Sequence, residues 1–462
     1  MYRARLQFNG GPELASDGAR YDSISLATSP VGYGTAAVFT TTASGAPTGH
    51  SWEYTPDGGN FWSLGNDAHH SGVTTGTLTV AGDSTFVNRG YRVKVTFASG
   101  ASAFSNTVGY NYAEFTAAPA GLTGAGTIAY GDTAFGFELP GGVLASSLND
   151  GSLHIDGYWS GSKSIANGGL LAPFISGGSV QLHFALAPHA GEKISVTTTA
   201  ALRRADGLAA RPSTWQFRNG VRSGAGVFGP ASPLAGATGP VTAQALADLD
   251  GDGDIDALVG GASGIVIYLN DGRGNLVPQA VPFGAANPAA IALASVSATS
   301  GTDAIVATAA GDLQVWSNSG SGVFTLTSTV TTRLHPRALA VDDLDSDGHL
   351  DIFAACASGN AVYLNDGSGH FIAPSTTFAA VGAYAGASVV LGDVNNDGTL
   401  DALAAYRSTS DSSTRTVVWL NRGNGVFDEK SAGLPGADRV EIADLTGDGQ
   451  LDLVTTRELG PT

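Results

Sequence analysis

The second half of this chain repeats itself, and the length of the repeat restricts the fold more than any other property of the sequence. Nearly the same nine residues occur four times: DLDGDGDID at 248–256, DLDSDGHLD at 343–351, DVNNDGTLD at 393–401 and DLTGDGQLD at 444–452. A fifth, eroded copy, SVSATSGTD, lies at 295–303, where Ser295, Ser297 and Thr299 replace three acids and only Asp303 keeps its carboxylate. The starts at 248, 295, 343, 393 and 444 are separated by 47, 48, 50 and 51 residues. In strand-rich sequence, that period belongs to propeller blades of four strands each. Oxygen-bearing side chains at slots 1, 3, 5 and 9, with glycine at slot 6 for a tight turn, can wrap one hard cation that takes about six to eight oxygens. The pattern predicts calcium.

A second tag recurs after each loop. A short apolar run leads to Tyr268-Leu269-Asn270, Trp316-Ser317-Asn318, Tyr363-Leu364-Asn365 and Trp419-Leu420-Asn421, each followed by a Gly-x-Gly turn. The tag reads strand, hairpin, strand. Phe324, Phe371 and Phe427 follow it, Leu276 substitutes once, and Phe228 heads the first unit. On these residues the chain resembles the FG-GAP or VCBS repeats, the family that includes the propeller of integrin alpha subunits and many large bacterial surface proteins. The resemblance spans residues 220–462, about half of the chain. It implies about four calcium ions, each in the loop between the first two strands of a blade. The implied ligands are Asp248, Asp250, Asp252 and Asp256; Asp343, Asp345, Asp347 and Asp351; Asp393, Asn395, Asp397 and Asp401; and Asp444, Thr446, Asp448 and Asp452. Slot 7, where a backbone carbonyl does the binding, holds Asp254, His349, Thr399 and Gln450.

The eroded loop 295–303 is expected to bind no calcium, and Thr446 weakens the last site relative to the first. An EF-hand is excluded because slot 12, which needs a bidentate glutamate, holds Val259, Ala354, Ala404 and Thr455, and because the flanks read as strands.

A length of 462 residues, 65 glycines and only 13% charged residues fit an all-β chain of roughly three domains. The formal charge of −18 argues against nucleic acid or an anionic membrane as partner. Fifteen of the 40 acids sit in the four acidic loops, so much of that charge is ligand rather than steering field. A single cysteine, Cys356, excludes an internal disulfide and reads as a small buried residue. No apolar run reaches the roughly 18 residues of a transmembrane helix, and Met1-Tyr2-Arg3-Ala4-Arg5 leads into no apolar signal core. The last repeat stops at Thr462 after its loop and one strand, so the remaining strands are expected downstream in a longer chain.

Residues 1–20 form an N-terminal segment. Two further β domains are expected before the propeller at 220–462. In 21–112, Trp52, Trp62 and Gly90-Tyr91-Arg92-Val93 resemble an immunoglobulin-like sandwich of the bacterial type, with a core tryptophan and with Val93 where a cysteine would stand. In 113–219, Gly191-Glu192-Lys193-Ile194-Ser195-Val196-Thr197, Asp206-Gly207-Leu208 and Trp215-Gln216-Phe217 resemble the Ig-like domains of bacterial surface-layer proteins.

Catalytic motifs do poorly. There is no G-x-S-x-G and no H-E-x-x-H. The adjacent pair His69-His70 reads as a solvated turn whose rings point to opposite faces of a strand. The G-x-G-x-x-G at 224–229 recurs as a hairpin slot and precedes no helix. Carboxylates committed to calcium make poor general acids. The expected function is therefore that of a non-catalytic, calcium-binding extracellular or cell-surface protein whose propeller recognises a protein or glycan. The alternatives are an accessory region of a larger secreted enzyme, or a pure structural stalk. One stretch, 407–415, is longer than its counterparts in the neighbouring repeats and is a candidate recognition loop weighed against a plain solvated one.

Overall fold

A computed structural model describes residues 24–28, 36–43, 47–55, 61–81, 89–98, 102–105, 108–110, 118–120, 127–176, 178–222, 234, 239–279, 282–284, 286–297, 299, 301–371, 376–378, 384–411, 413–430, 434–446 and 450–457. The described residues are all-β: their regular structure is strands in many small sheets, plus one 3-10 turn at Ala145–Ser147. No helix among them is long and apolar enough to cross a membrane. Phe228 and the 224–229 glycine motif lie outside the described residues. The chain divides into two compact units, Met1–Thr116 with Arg203–Arg211, and Ala117–Leu202 with Pro212–Thr462.

In the first unit, two sheets enclose one core. Strands Ile24–Thr28, Ala37–Ala43, Thr77–Val80 and His70–Ser71 form one sheet; Trp62–Ser63, Pro47–Thr55, Arg89–Phe97 and Ser102–Phe104 form the other, with Val108–Tyr110 also pairing with Arg89–Phe97, on the edge that Ser102–Phe104 uses. Alternation along 89–97 turns Tyr91, Val93, Val95 and Phe97 inward, against Phe39 and Leu78 of the facing sheet. Trp52 pairs with Val93 across the strands, and its indole N–H reaches Thr75 O at 2.8 Å. His69 and His70 do face opposite ways, but His70 does not lie in a solvated turn. It is buried, and Asp67 Oδ1 accepts from both backbone N–H groups at 2.7 Å and sits 3.0 Å from His70 Nδ1.

The second unit begins with another pair of facing sheets. One holds Ala118–Ala120, Ala134–Glu138, Ser179–His183 and Phe174–Ser176; the other holds Thr127–Ile128, Ser213–Asn219, Lys193–Thr198, Leu153–Gly157 and Gly161–Ser162. The rings of Phe135 and Phe217 (5.1 Å) and of Phe137 and Trp215 (6.0 Å) meet between them.

The rest of the unit is propeller-like. Four four-stranded antiparallel meanders follow in chain order, each pairing its strands consecutively. Blade 1 is Ala243–Ala247, Asp256–Gly261, Gly264–Asn270 and Leu276–Pro278. Blade 2 is Ala290–Ala294, Asp303–Ala307, Leu313–Asn318 and Phe324–Val330. Blade 3 is Pro336–Asp342, Asp351–Cys356, Gly359–Tyr363 and Thr376–Phe378. Blade 4 is Tyr384–Gly392, Asp401–Ser408, Thr414–Asn421 and Phe427–Glu429. A two-stranded sheet, Arg439–Ala443 with Asp452–Thr456, comes after blade 4.

The second strand of each blade is apolar without alternation because both of its faces are covered. In blade 3, Ile352, Ala354 and Cys356 face Ile305, Ala307 and Val315 of blade 2, while Phe353 packs with Ala402, Ala404 and Tyr406 of blade 4. Small residues bring the sheets close: a Cβ on Gly386 would stand 2.6 Å from the Ala355 backbone. Cys356 is fully buried, and burial pushes its thiol up to about 12, so it packs as a small apolar residue. The long stretch at 407–415 extends the hairpin between the second and third strands of blade 4, and Arg407 pairs with Asp438 at 2.7 Å.

Candidate metal centre

Each acidic loop bridges the first and second strands of its blade, as the repeat predicts. The winding is local. Slot 1 closes the loop on itself: the two Asp248 oxygens accept from Gly251 N (2.7 Å) and Gly253 N (3.1 Å), Asp343 Oδ2 accepts from Gly348 N (2.9 Å), and Asp393 Oδ2 accepts from Gly398 N (2.8 Å). Slot 5 accepts from the slot 7 backbone, as Asp252 from Asp254 N (2.9 Å), Asp347 from His349 N (2.8 Å) and Asp397 from Thr399 N (2.9 Å). The slot 6 glycines Gly253, Gly348 and Gly398 all have positive φ, which only glycine adopts without strain.

Two loops gather carboxylates. Oxygens of Asp248, Asp250 and Asp252 lie within 4.8 Å of one another, and so do those of Asp343, Asp345 and Asp351. In the fourth blade Asp393, Asp397 and Asp401 form no such group, and Asn395 is turned onto Asp397, donating from Nδ2 at 3.0 Å. Of the last loop, Asp448 lies outside the described residues; Asp444, Thr446, Gln450 and Asp452 lie within them, and Asp452 Oδ2 accepts from Leu445 N at 2.9 Å.

The electrostatics of the third loop favour a cation. Burial, then the neighbouring carboxylates, pushes Asp351 well above the usual range, and burial with Asp347 beside it takes Asp345 to about 6. Asp343 is 2% exposed and is also raised strongly by burial. The Thr197 hydroxyl, 2.9 Å from Thr214 Oγ1, tempers that rise, and Asp343 Oδ1 is buried without a hydrogen bond of good geometry. A buried oxygen left this way costs roughly 1–3 kcal/mol. Among the described residues, no lysine or arginine pairs with either carboxylate group. A divalent cation would satisfy Asp343 Oδ1 and cancel the repulsion together.

Slot 9 does something the repeat alone conceals. Asp256, Asp303, Asp351 and Asp401 are each 0% exposed. In every case one oxygen accepts from the slot 2 N–H, of Leu249 (2.8 Å), Val296 (3.1 Å), Leu344 (2.9 Å) or Val394 (3.2 Å). The other accepts from the backbone N–H of the tag asparagine, Asn270 (2.7 Å), Asn318 (2.9 Å), Asn365 (2.8 Å) or Asn421 (2.8 Å). Slot 9 is thus a staple from the loop to the third strand, and in the third loop it is also within reach of the cation position. In the eroded loop the staple persists, and Ser297 Oγ and Thr299 Oγ1 bond each other at 2.7 Å instead of facing a cation.

The asparagine side chains, which the sequence marks only as a tag, tie neighbouring blades. Asn318, Asn365 and Asn421 each donate from Nδ2 to their own loop and to the slot 2 carbonyl of the preceding blade: Asn318 to Leu249 O (2.8 Å), Asn365 to Val296 O (2.9 Å) and Asn421 to Leu344 O (2.7 Å). The slot 7 side chains pack against the first tag glycine, so that a Cβ on Gly367 would stand 2.5 Å from the His349 ring.

The loop-bearing rim is covered by the sheet of 193–198 and 213–219. Asp248 N donates to Trp159 O (2.8 Å), Ser162 N to Ser295 Oγ (3.3 Å), and Thr214 N to Gly398 O (3.0 Å). Thr214 Oγ1 lies 3.2 Å from Ser346 Oγ. Asp342, one residue before the third loop, accepts from Ser195 Oγ and Gln216 Nε2, each at 2.6 Å, with Lys193 Nζ at 3.6 Å. The His154 ring stands edge-on to His349 at 5.9 Å; burial, then the His349 charge, lowers the pKa of His154.

The family described as FG-GAP-like repeat matches residues 343–404, from the third loop into the second strand of blade 4, so the chain contains an FG-GAP-like repeat there. No curated protein sequence matches the chain. Among solved structures it is similar to an Agrocybe aegerita lectin recognising non-reducing terminal N-acetylglucosamine (18% identity, 70% of this chain and 87% of that one, TM-score 0.37). It is also similar to a mutant of AofleA from Arthrobotrys oligospora (10% identity, 94% and 87%, TM-score 0.31). A third is the N-terminal part of the bacterial S-layer protein SbsC (16% identity, 46% and 43%, TM-score 0.18).

Proposed function

We propose that this chain is a non-catalytic, calcium-binding recognition protein of the extracellular space or cell surface, in which two Ig-like sandwiches precede an FG-GAP propeller that engages a protein or glycan. The observation that carries the reading is the third loop: three converging carboxylates, one with a buried oxygen lacking a hydrogen bond of good geometry, and, among the described residues, no lysine or arginine paired with them. The loops at 248–256 and 343–351 hold calcium more tightly than those at 393–401 and 444–452, which carry fewer carboxylates. Calcium acts structurally. Extracellular modules bind it at about 0.1–1 mM, so about 1 mM calcium on a 0.1 mM site adds roughly 1.4 kcal/mol. Sites of that strength fill outside cells and stay mostly empty in a cytosol, which is the ground for an extracellular setting. Glycan and surface-protein arrays probed with the full chain, in calcium and in chelator, test the reading. Calcium-dependent capture of one ligand class is the expected result. Binding that is equal in both buffers would contradict a calcium-shaped recognition surface.

A further inference from the structure

In the sheet of 153–157, 193–198 and 213–219, alternation turns Ile155, Ile194, Val196, Trp215 and Phe217 into the sandwich core and leaves polar residues outside. A polar outer face normally meets water, yet Ser195, Thr197 and Thr214 are 7%, 3% and 0% exposed because the acidic loops cover them. Thr214 N–H goes to Gly398 O of the fourth loop rather than to a strand of its own sheet, and Thr214 Oγ1 meets Ser346 of the third. Ser346 sits at φ +59, a left-handed position held by the winding of its loop. A Cβ on Gly348 would stand 2.2 Å from His154 Nε2, so the loop backbone presses directly on the sandwich. Asp342 and Asp343, neighbours in sequence, divide the labour: the first anchors Ser195 and Gln216, the second belongs to the carboxylate group. The eroded loop, 295–303, is filled from the sandwich side. A Cβ on Gly161 would stand 2.8 Å from Ser295 Oγ, whose oxygen accepts from Ser162 N.

We propose that calcium in the third loop locks this sandwich onto the propeller, making the joint rigid when the ion is bound and loose when it is withdrawn. The proposal rests on the calcium reading above. Without the cation, three crowded carboxylates repel one another, the loop opens, and Ser346, Gly348 and Asp342 lose the register that the sandwich needs.

The test is amide hydrogen exchange at residue resolution on the full chain, with bound calcium counted on the same samples. Exchange at Thr214 N is expected to rise at least tenfold in chelator. Asp345→Asn, which removes a third-loop carboxylate that takes no part in the seam's hydrogen bonds described above, is expected to do the same in calcium, whereas Asp250→Asn in the first loop leaves Thr214 within twofold of the unmodified chain. If calcium binds and Thr214 is equally protected in chelator, the lock is overturned while the calcium reading stands. If no calcium binds, both fall. Equal loosening by Asp345→Asn and Asp250→Asn would also overturn the proposal, since general destabilisation would explain it. Should Asp345→Asn not fold, the unmodified chain in calcium and chelator still decides the question.

Discussion

At the ninth position of each loop, an aspartate does two jobs that the sequence presents as one. Read as a string, Asp256, Asp351 and Asp401 look like ligands equal to slots 1, 3 and 5. Folded, both oxygens of each already take backbone N–H groups. The clue was legible at 295–303, where erosion removed three acids and spared Asp303, but a single repeat does not reveal why one acid survives. Asp303→Asn replaces one carboxylate oxygen by a donor NH2, which faces either the Asn318 N–H or the N–H groups of Val296 and Ser297. The expected cost is roughly 1–3 kcal/mol per stranded donor, read as a lower denaturation midpoint in calcium. The number of calcium ions bound stays the same; a lost equivalent would make Asp303 a ligand after all. Protonation works at this scale too. Asp345 and Asp401 are raised by burial to about 6 and about 7, against 3.8 for the unperturbed group. Their ionisation therefore destabilises the calcium-free fold: the stability present below about pH 4 is lost as pH rises through 6 to 7. Calcium binds the ionised form and reverses the trend. The calcium-induced rise in melting temperature is predicted to grow from pH 5 to pH 7.5, and a pH-independent rise would contradict the burial of these carboxylates.

Among elements, the hairpin that closes each blade also clamps the blade before it. Strand and hairpin were readable from the apolar run and the Gly-x-Gly turn, but the partner of the asparagine was not, because it lies about seventy residues earlier in the chain. Asn421 donates to Leu344 O in the third loop as well as to Leu400 O in its own. Asn421→Ala removes this donor from Leu400 O and leaves Leu344 O with the weaker Gly425 N–H at 3.2 Å, at a cost of about 1–3 kcal/mol. It is predicted to weaken calcium at 343–351, one blade away, by several-fold in titrations against Asp397→Asn as a fourth-loop reference. An effect confined to the fourth loop would show that the blades bind independently. The same limit explains the sheet of 193–198. Its alternation assigns one polar face, but a pattern cannot say what covers that face. Only the fold brings Ser195 to Asp342, 147 residues away.

For the whole molecule, the fold class and the repeat period were legible from residues 248–452, and the match to FG-GAP-like repeats at 343–404 agrees with them. The union of sandwich and loop rim was not, because it rests on contacts between segments that share no motif. Calcium filling the acidic loops is central at every scale, and its most direct test is calorimetric titration of the full chain with calcium, paired with melting in calcium and in chelator. It predicts about four ions, one lost in Asp250→Asn and one in Asp345→Asn, and a large calcium-dependent rise in melting temperature. Absence of binding, or binding untouched by both substitutions, would contradict it.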